Sequence, residues 1–229
     1  MLQELIRHPR LSQRLKSHVR LPGKLLVIAL CALIALVLFC TWNSTRARIP
    51  QLESDQQIVS SGIYAEWAKG NVMVLIRHAE RCDHSHNPCL NDPTGITVAG
   101  SQVATEAGKG FQSLGLKNAR VLSSPEVRAQ QTAGFMFGPA IATQDWLNQC
   151  DSSYANKAFS HKQPGHNLVL VTHSSCIDEL EQSFQVPDSE RSSAYTSALF
   201  VAMDTNGKAR ILGQMNADKL RNLVTHPGN

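Results

Sequence analysis

Two short stretches of this chain, Val72 to Ile76 and Leu168 to Val171, are apolar at every position. A strand with one wet face alternates apolar and polar residues. A strand without alternation is covered on both faces, as in a parallel sheet held between helices. The intervals agree. The strand expected over 71–76 is followed by a polar loop over 79–95 with Pro88, Pro93 and Gly95, then by a helix over 97–114. A short strand over 119–122 ends in Ser123-Ser124-Pro125. Pro125 at a first helical position, with Ser124 as N-cap, starts a helix reaching Phe137. The strand over 167–172 precedes a helix over 175–184. A closing hairpin of strands over 196–204 and 208–213 turns at Asn206-Gly207. The expected fold class is α/β: a three-layer α/β/α sandwich with a mostly parallel central sheet.

An appendage precedes this domain. Residues 25–42 carry no charge, and eighteen residues span roughly 27 Å as a helix, close to a bilayer's hydrocarbon thickness. Six basic residues and Glu4 lie before the run, which places the N-terminus in the cytoplasm and the domain outside. The expected organisation is a basic tail over 1–24, a membrane anchor over 25–42, a linker over 43–66 and a domain over 67–229. A cleaved signal segment is the competing reading, although Cys40-Thr41-Trp42-Asn43 makes a poor cleavage site and Ala47 a weak one. Either way the domain is exported.

The net charge of +4 belongs to the tail, since the rest of the chain has 16 basic and 17 acidic residues. A near-neutral domain without a basic tract argues against nucleic acid as a partner. Cys82, Cys89, Cys150 and Cys176 form an even set in an oxidising compartment and favour two disulfides over free thiols. Cys82 and Cys89 enclose six residues and are the natural pair, leaving Cys150 with Cys176. The cluster His78, Cys82, His84, His86, Cys89 lacks paired metal-ligand spacing, so no metal is expected.

Chemistry concentrates at three strand-to-helix junctions: Arg77-His78, then Ser123-Ser124 with Arg128 and Thr132, then Thr172-His173. Each alone is a weak signal, because a lone histidine is usually structural and a lone helical arginine usually solvated. Together they would bring two imidazoles and two guanidiniums to one sheet edge, where α/β folds bind ligands. Neutral His78 could attack phosphorus, with Arg77 and Arg128 forking onto phosphoryl oxygens. His173, if protonated, would add a donor. Arg81, Ser123 and Ser124 are candidate substrate contacts.

These signatures, Leu75-Ile76-Arg77-His78-Ala79-Glu80, Ser123 to Thr132 and Val171-Thr172-His173, resemble those of the histidine phosphatase superfamily. Arg77-His78-Ala79-Glu80-Arg81-Cys82-Asp83, Leu147-x-Gln149-Cys150 and Thr172-His173-x-x-Cys176 are similar to bacterial lipopolysaccharide core heptose(II)-phosphate phosphatases. The resemblance implies a phosphomonoesterase with a phosphohistidine intermediate, no cofactor, and a phosphorylated lipopolysaccharide core as periplasmic substrate. A phosphatase of another envelope phosphoester or phosphoprotein, or a weakly catalytic phosphate-binding module, stays open. One departure matters. Many superfamily members carry a Glu where this chain has Gln149, and another branch an Asp where it has Ser174. The proton donor for the leaving group is therefore unassigned among Glu80, Asp83, Asp145 and Asp151, with Glu80 favoured. The short 139–165 segment leaves little chain to cap the pocket, which suits a bulky substrate.

Overall fold

The computed structural model describes residues 23–44 and 48–223. They fall into two units. The first is helix α1, Gly23–Ser44, whose Gly23–Thr41 window has a mean hydropathy of 2.7. It is long and apolar enough to cross a membrane. Residues 1–22 of the expected basic tail lie outside the described residues.

The second unit holds one six-stranded sheet of order β3-β2-β4-β1-β5-β6. Its strands are β1 (Val72–Arg77), β2 (Ala119–Ser123), β3 (Ala142–Thr143), β4 (Asn167–Thr172), β5 (Ala198–Met203) and β6 (Ala209–Met215). The first four in sheet order run parallel; β5 lies antiparallel to β1, and β6 antiparallel to β5. The hairpin turns at Asn206-Gly207, with Gly207 at φ 79°. Successive side chains of β1 feed opposite cores. Val72, Val74 and Ile76 pack on one face, Met73 and Leu75 on the other.

The first face is covered by α2 (Asp55–Ser61), α3 (Ile63–Ala68), α4 (Val98–Leu114), α5 (Val127–Phe137) and the short α8 (Ala217–Leu220). Helices α6 (Tyr154–His161) and α7 (Ser174–Ser183) cover the second. The layers are those of an α/β/α sandwich. Glycines set how closely the helices approach. A Cβ at Gly108 would collide with the Met136 backbone, and one at Gly110 with the Leu220 carbonyl, so α4 docks directly on α5 and α8.

Two local expectations change. The 43–66 stretch is more than a linker: Ile49, Leu52, Ile58 and Ile63 are all buried, and Ser54 and Gln57 close a capping box at the start of α2. The stretch has few apolar residues, which hid the fact that these four reach the core. Helix α5 begins at Val127, two residues later than expected, and its N-cap Glu126 makes no side-chain cap. Ser124 is used elsewhere, as described below.

Candidate active site

Strand register builds the site. β4 lies between β1 and β2, with Arg77 opposite Thr172 and Ser123 opposite Val171. The residues that follow each strand therefore emerge side by side. The His78 amide donates to the Thr172 carbonyl (2.9 Å), and the Ser124 amide to the Val171 carbonyl (2.9 Å). The Ala79 amide donates to Thr132 Oγ1, which in turn donates to the Arg128 carbonyl (2.9 and 2.7 Å). Helix α5 and its Arg128 are thereby tied to the turn after His78.

The result is a cavity of about 500 Å³ lined by Arg77, His78, Arg81, Arg128, His173 and Tyr195, together with His84, Asn148, Cys150, Ser174 and Ser175. The rings of His78 and His173 meet edge to face at 5.4 Å. Both are nearly buried. His78 Nδ1 lies 2.8 Å from the Ala79 carbonyl, an acceptor, so the proton sits on Nδ1 and Nε2 keeps its lone pair. Burial, helped by the charges of His173, Arg128 and Arg77, pushes the His78 pKa down to about 3. The free site thus holds a neutral imidazole of one tautomer. His173 is pushed down to about 4, by burial first and the neighbouring Arg128 second. Its Nε2 bonds Ser124 Oγ at 2.8 Å, and its Nδ1 faces an Arg128 nitrogen at 3.4 Å. His173 is therefore neutral before any anion arrives, and a bound dianion is what would favour its protonation.

The cations are held from outside. Arg77 donates to the Ser193 carbonyl (2.6 Å), and its Cζ lies over the Tyr195 ring, 4.0 Å from the centroid. Arg81 forks onto Asp83 through Nε and NH2 (2.8 and 2.6 Å). Arg128 pairs with Glu126 at 3.0 Å, and the other Glu126 oxygen accepts from Asn148 at 2.8 Å. Among the described residues, the buried Nε groups of Arg77 and Arg128 have no acceptor. Ser174 and Ser175 open helix α7, so its amide end faces the same space. Three guanidiniums and a helix N-terminus converge on a cavity with room for a phosphoryl group.

No family model matches the chain. It is 36% identical over 156 residues to the lipopolysaccharide core heptose(II)-phosphate phosphatase of Escherichia coli O157:H7, an alignment covering 67% of this chain and 74% of that protein. The chain belongs to that family. The heptose(II)-phosphate phosphatase of E. coli strain K12/DH10B matches equally, 36% over 157 residues with the same coverage. Two solved structures share the fold. One is the protein histidine phosphatase SixA complexed with tungstate, with TM-score 0.52 and 16% identity over 65% of this chain and 99% of that one. The other is the phosphoserine phosphatase of Entamoeba histolytica in complex with 3-phosphoglyceric acid, at 0.52 and 14% over 65% and 98%. The heptose(II)-phosphate phosphatase family thus stands on a histidine phosphatase-like sandwich.

Against that family background, the structure gathers Arg77, His78, Arg81, Arg128 and His173 and leaves out three expected residues. Glu80 does not line the cavity. Asn87, Thr97 and Ser85 all donate to its carboxylate, at 2.7 to 3.1 Å, and hold its pKa below the ordinary value. It clamps the 79–97 loop and is poorly suited to give up a proton. Ser123 Oγ turns to the Ser124 carbonyl, and Ser124 orients His173. Asp83 and Asp151 are likewise engaged, with Arg81 and Ser153. Residues not anticipated are Tyr195, Asn148 and Glu126. Tyr195 precedes Thr196, a β-branched residue at φ 60° whose amide reaches the Arg77 and His78 carbonyls. Nothing local in Ser193-Ala194-Tyr195-Thr196 announces that turn. Both expected disulfides, Cys82–Cys89 and Cys150–Cys176, are present.

Proposed function

We propose that this protein removes phosphate from a heptose of the lipopolysaccharide core on the periplasmic side of the inner membrane, held there by residues 25–42. The observation that carries the reading is the state of His78: one neutral tautomer, its Nε2 lone pair free, set among three guanidiniums. The imidazole attacks phosphorus, the P–O ester bond breaks, and the sugar oxygen leaves as an alcohol after taking a proton. Water then attacks the phosphohistidine, the P–N bond breaks, and inorganic phosphate departs with the imidazole restored. Arg77, Arg81 and Arg128 stabilise charge on the transferring group, which is most of what phosphoryl transfer asks of a protein. Glu126 is ion-paired with Arg128 and accepts from Asn148, so it positions these two lining residues, and the leaving oxygen takes its proton from His173 once the bound dianion has protonated it. The family relation supports the substrate, and the long apolar α1 behind a basic N-terminal segment supports the location.

The test is phosphate release from purified phosphorylated lipopolysaccharide core, with acid-labile label trapped on the protein. Wild type should release phosphate and carry label; His78→Ala should do neither, with the rate falling by several orders of magnitude. Equal release by the two proteins would end the reading.

A further inference from the structure

The three guanidiniums of the cavity are held in two ways. Arg81 gives Nε and NH2 to the Asp83 carboxylate, and Arg128 gives NH1 to Glu126. Among the described residues, Arg77 has no carboxylate within ion-pair reach. It donates to the Ser193 carbonyl and stands over the Tyr195 ring, its Cζ 4.0 Å from the centroid. The same ring lies 5.7 Å from that of His78. Burial lowers the Arg77 pKa, and Tyr195 is the first group to oppose the loss of its charge, ahead of Asp178 on α7.

The ring is fixed to the strand end that carries its cation. The Thr196 amide donates to the Arg77 and His78 carbonyls (3.1 and 3.3 Å), and the Arg77 amide donates to the Ser197 carbonyl (3.0 Å). From β6, Gln214 Nε2 donates to the Ser192 carbonyl at 2.7 Å. Thr196 keeps φ 60° in the midst of these bonds, a conformation that a β-branched residue holds only where its surroundings impose it. A carboxylate and a ring act differently on a guanidinium that must bind a phosphoryl group. A carboxylate claims the N–H fork and sets a negative charge beside the incoming anion. A ring face attracts the cation through its quadrupole, with no net charge to repel the anion and no carboxylate oxygen to claim the fork.

We propose that Tyr195 is a positioning residue for phosphoryl transfer: its ring stabilises and orients the Arg77 guanidinium in place of a carboxylate, and so leaves that fork to the phosphoryl oxygens. The inference deepens the phosphatase reading and rests on it for the transfer step alone. It divides the cations of the site. Arg81 and Arg128 must share their donors between a carboxylate and the phosphoryl group, whereas Arg77 meets the anion without such a competitor.

The test uses the full-length protein in detergent, with phosphate release from phosphorylated core oligosaccharide and calorimetric binding of inorganic phosphate as separate readouts. Tyr195→Leu should lower kcat/KM and weaken phosphate binding roughly tenfold, the scale of a desolvated cation–π contact. Tyr195→Phe, which keeps the ring, should recover most of both. Phenylalanines carrying one, two and three fluorines at position 195 keep the shape while draining the ring's negative face, so both readouts should decline stepwise along that series. This arm also serves if the leucine disturbs folding. In an Arg77→Ala background, Tyr195→Leu should cost no more than about a further twofold, because the cation it acts through is gone. Equal losses in the leucine and phenylalanine variants, a flat fluorine series, or a full loss in the Arg77→Ala background would each overturn the assignment. If wild type binds phosphate but releases none from the ester, the phosphatase reading fails while the binding series still decides the role of Tyr195. If wild type binds no phosphate, both fall.

Discussion

The candidate active-site cavity has two walls of different construction. The deep wall is Arg77, His78, Arg128 and His173, standing at the carboxyl ends of three parallel strands or in the first turn of the next helix. The Arg77 and His78 amides donate to the Ser197 and Thr172 carbonyls, the Arg128 carbonyl accepts from Thr132 Oγ1, and His173 Nε2 bonds Ser124 Oγ. The outer wall is Arg81, His84, Asn148, Cys150 and Tyr195, carried by loops and 3-10 turns. These segments are held by disulfides, by the Thr172–Leu147 hydrogen bond (2.7 Å), and by one residue at positive φ. On the proposed reading, two of the three guanidiniums and both histidines stand at the sheet's edge, while Arg81 and the side chains that would meet the rest of the substrate stand on loops.

The sharpest test of that division lies in the deep wall. Arg128→Ala removes one guanidinium from the phosphoryl group and leaves Glu126 without its ion-pair partner. The rate should fall by about 10²–10³-fold, the usual cost of one charge-stabilising donor. Arg128→Lys should recover little, because a single ammonium cannot fork onto two oxygens. Steady-state phosphate release measures both. A rate within a few-fold of wild type would move Arg128 out of the machinery and dissolve the distinction between the walls.

The same division explains what the sequence revealed. The deep wall was legible because continuous apolar runs mark buried strands, and a strand's end fixes where the next residues stand. His78, Arg128 and His173 needed no knowledge of loops. Glu80 misled because adjacency to His78 in sequence says nothing about which way a turn sends the side chain, and three donors in the 85–97 stretch claim it. Ser124 misled because a helix-cap rule sees only its own chain neighbours: its hydroxyl does accept from the Glu126 amide at 3.3 Å, but its shorter bond, at 2.8 Å, is to His173, 49 residues away. Tyr195 and Asn148 left no local trace, since their positions follow from long-range packing. Residues 49–66 were underestimated for a related reason: four well-spaced apolar side chains suffice to dock two short helices.

The disulfides allow the outer wall to be probed in two places. Cys150–Cys176 closes 26 residues and ties the turn bearing Asn148 to α7, while Cys82–Cys89 closes 7. Loop-closure entropy gives ~3.5 kcal/mol for the longer loop against ~2.5 for the shorter. Cys150→Ser/Cys176→Ser should therefore lower the urea midpoint more than Cys82→Ser/Cys89→Ser. The latter should chiefly raise KM, because Arg81 and His84 stand on its loop. The reverse order of midpoints would mean that native packing, not loop closure, decides how firmly each part of the outer wall is held.

The smallest effect concerns the support behind that wall. Glu181, on α7, is fully buried, and neither carboxylate oxygen has a hydrogen-bond donor among the described residues. Burial first, then the charge of Asp178, pushes its pKa up from 4.5 to about 8, with Arg191 opposing. The folded chain thus holds Glu181 protonated while the unfolded chain releases the proton near its ordinary value. The contribution to stability is complete below about pH 4.5 and is lost as pH rises towards about 8. Glu181→Gln keeps the shape without the titration. Relative to wild type, the variant should gain stability steadily from pH 5 to pH 8 in urea unfolding. His78 and His173, untouched by the substitution, cancel from that difference. A gap between the two proteins that does not change with pH would show Glu181 already ionised in the fold, and the element carrying His173 would then rest on a buried charge rather than on a neutral acid.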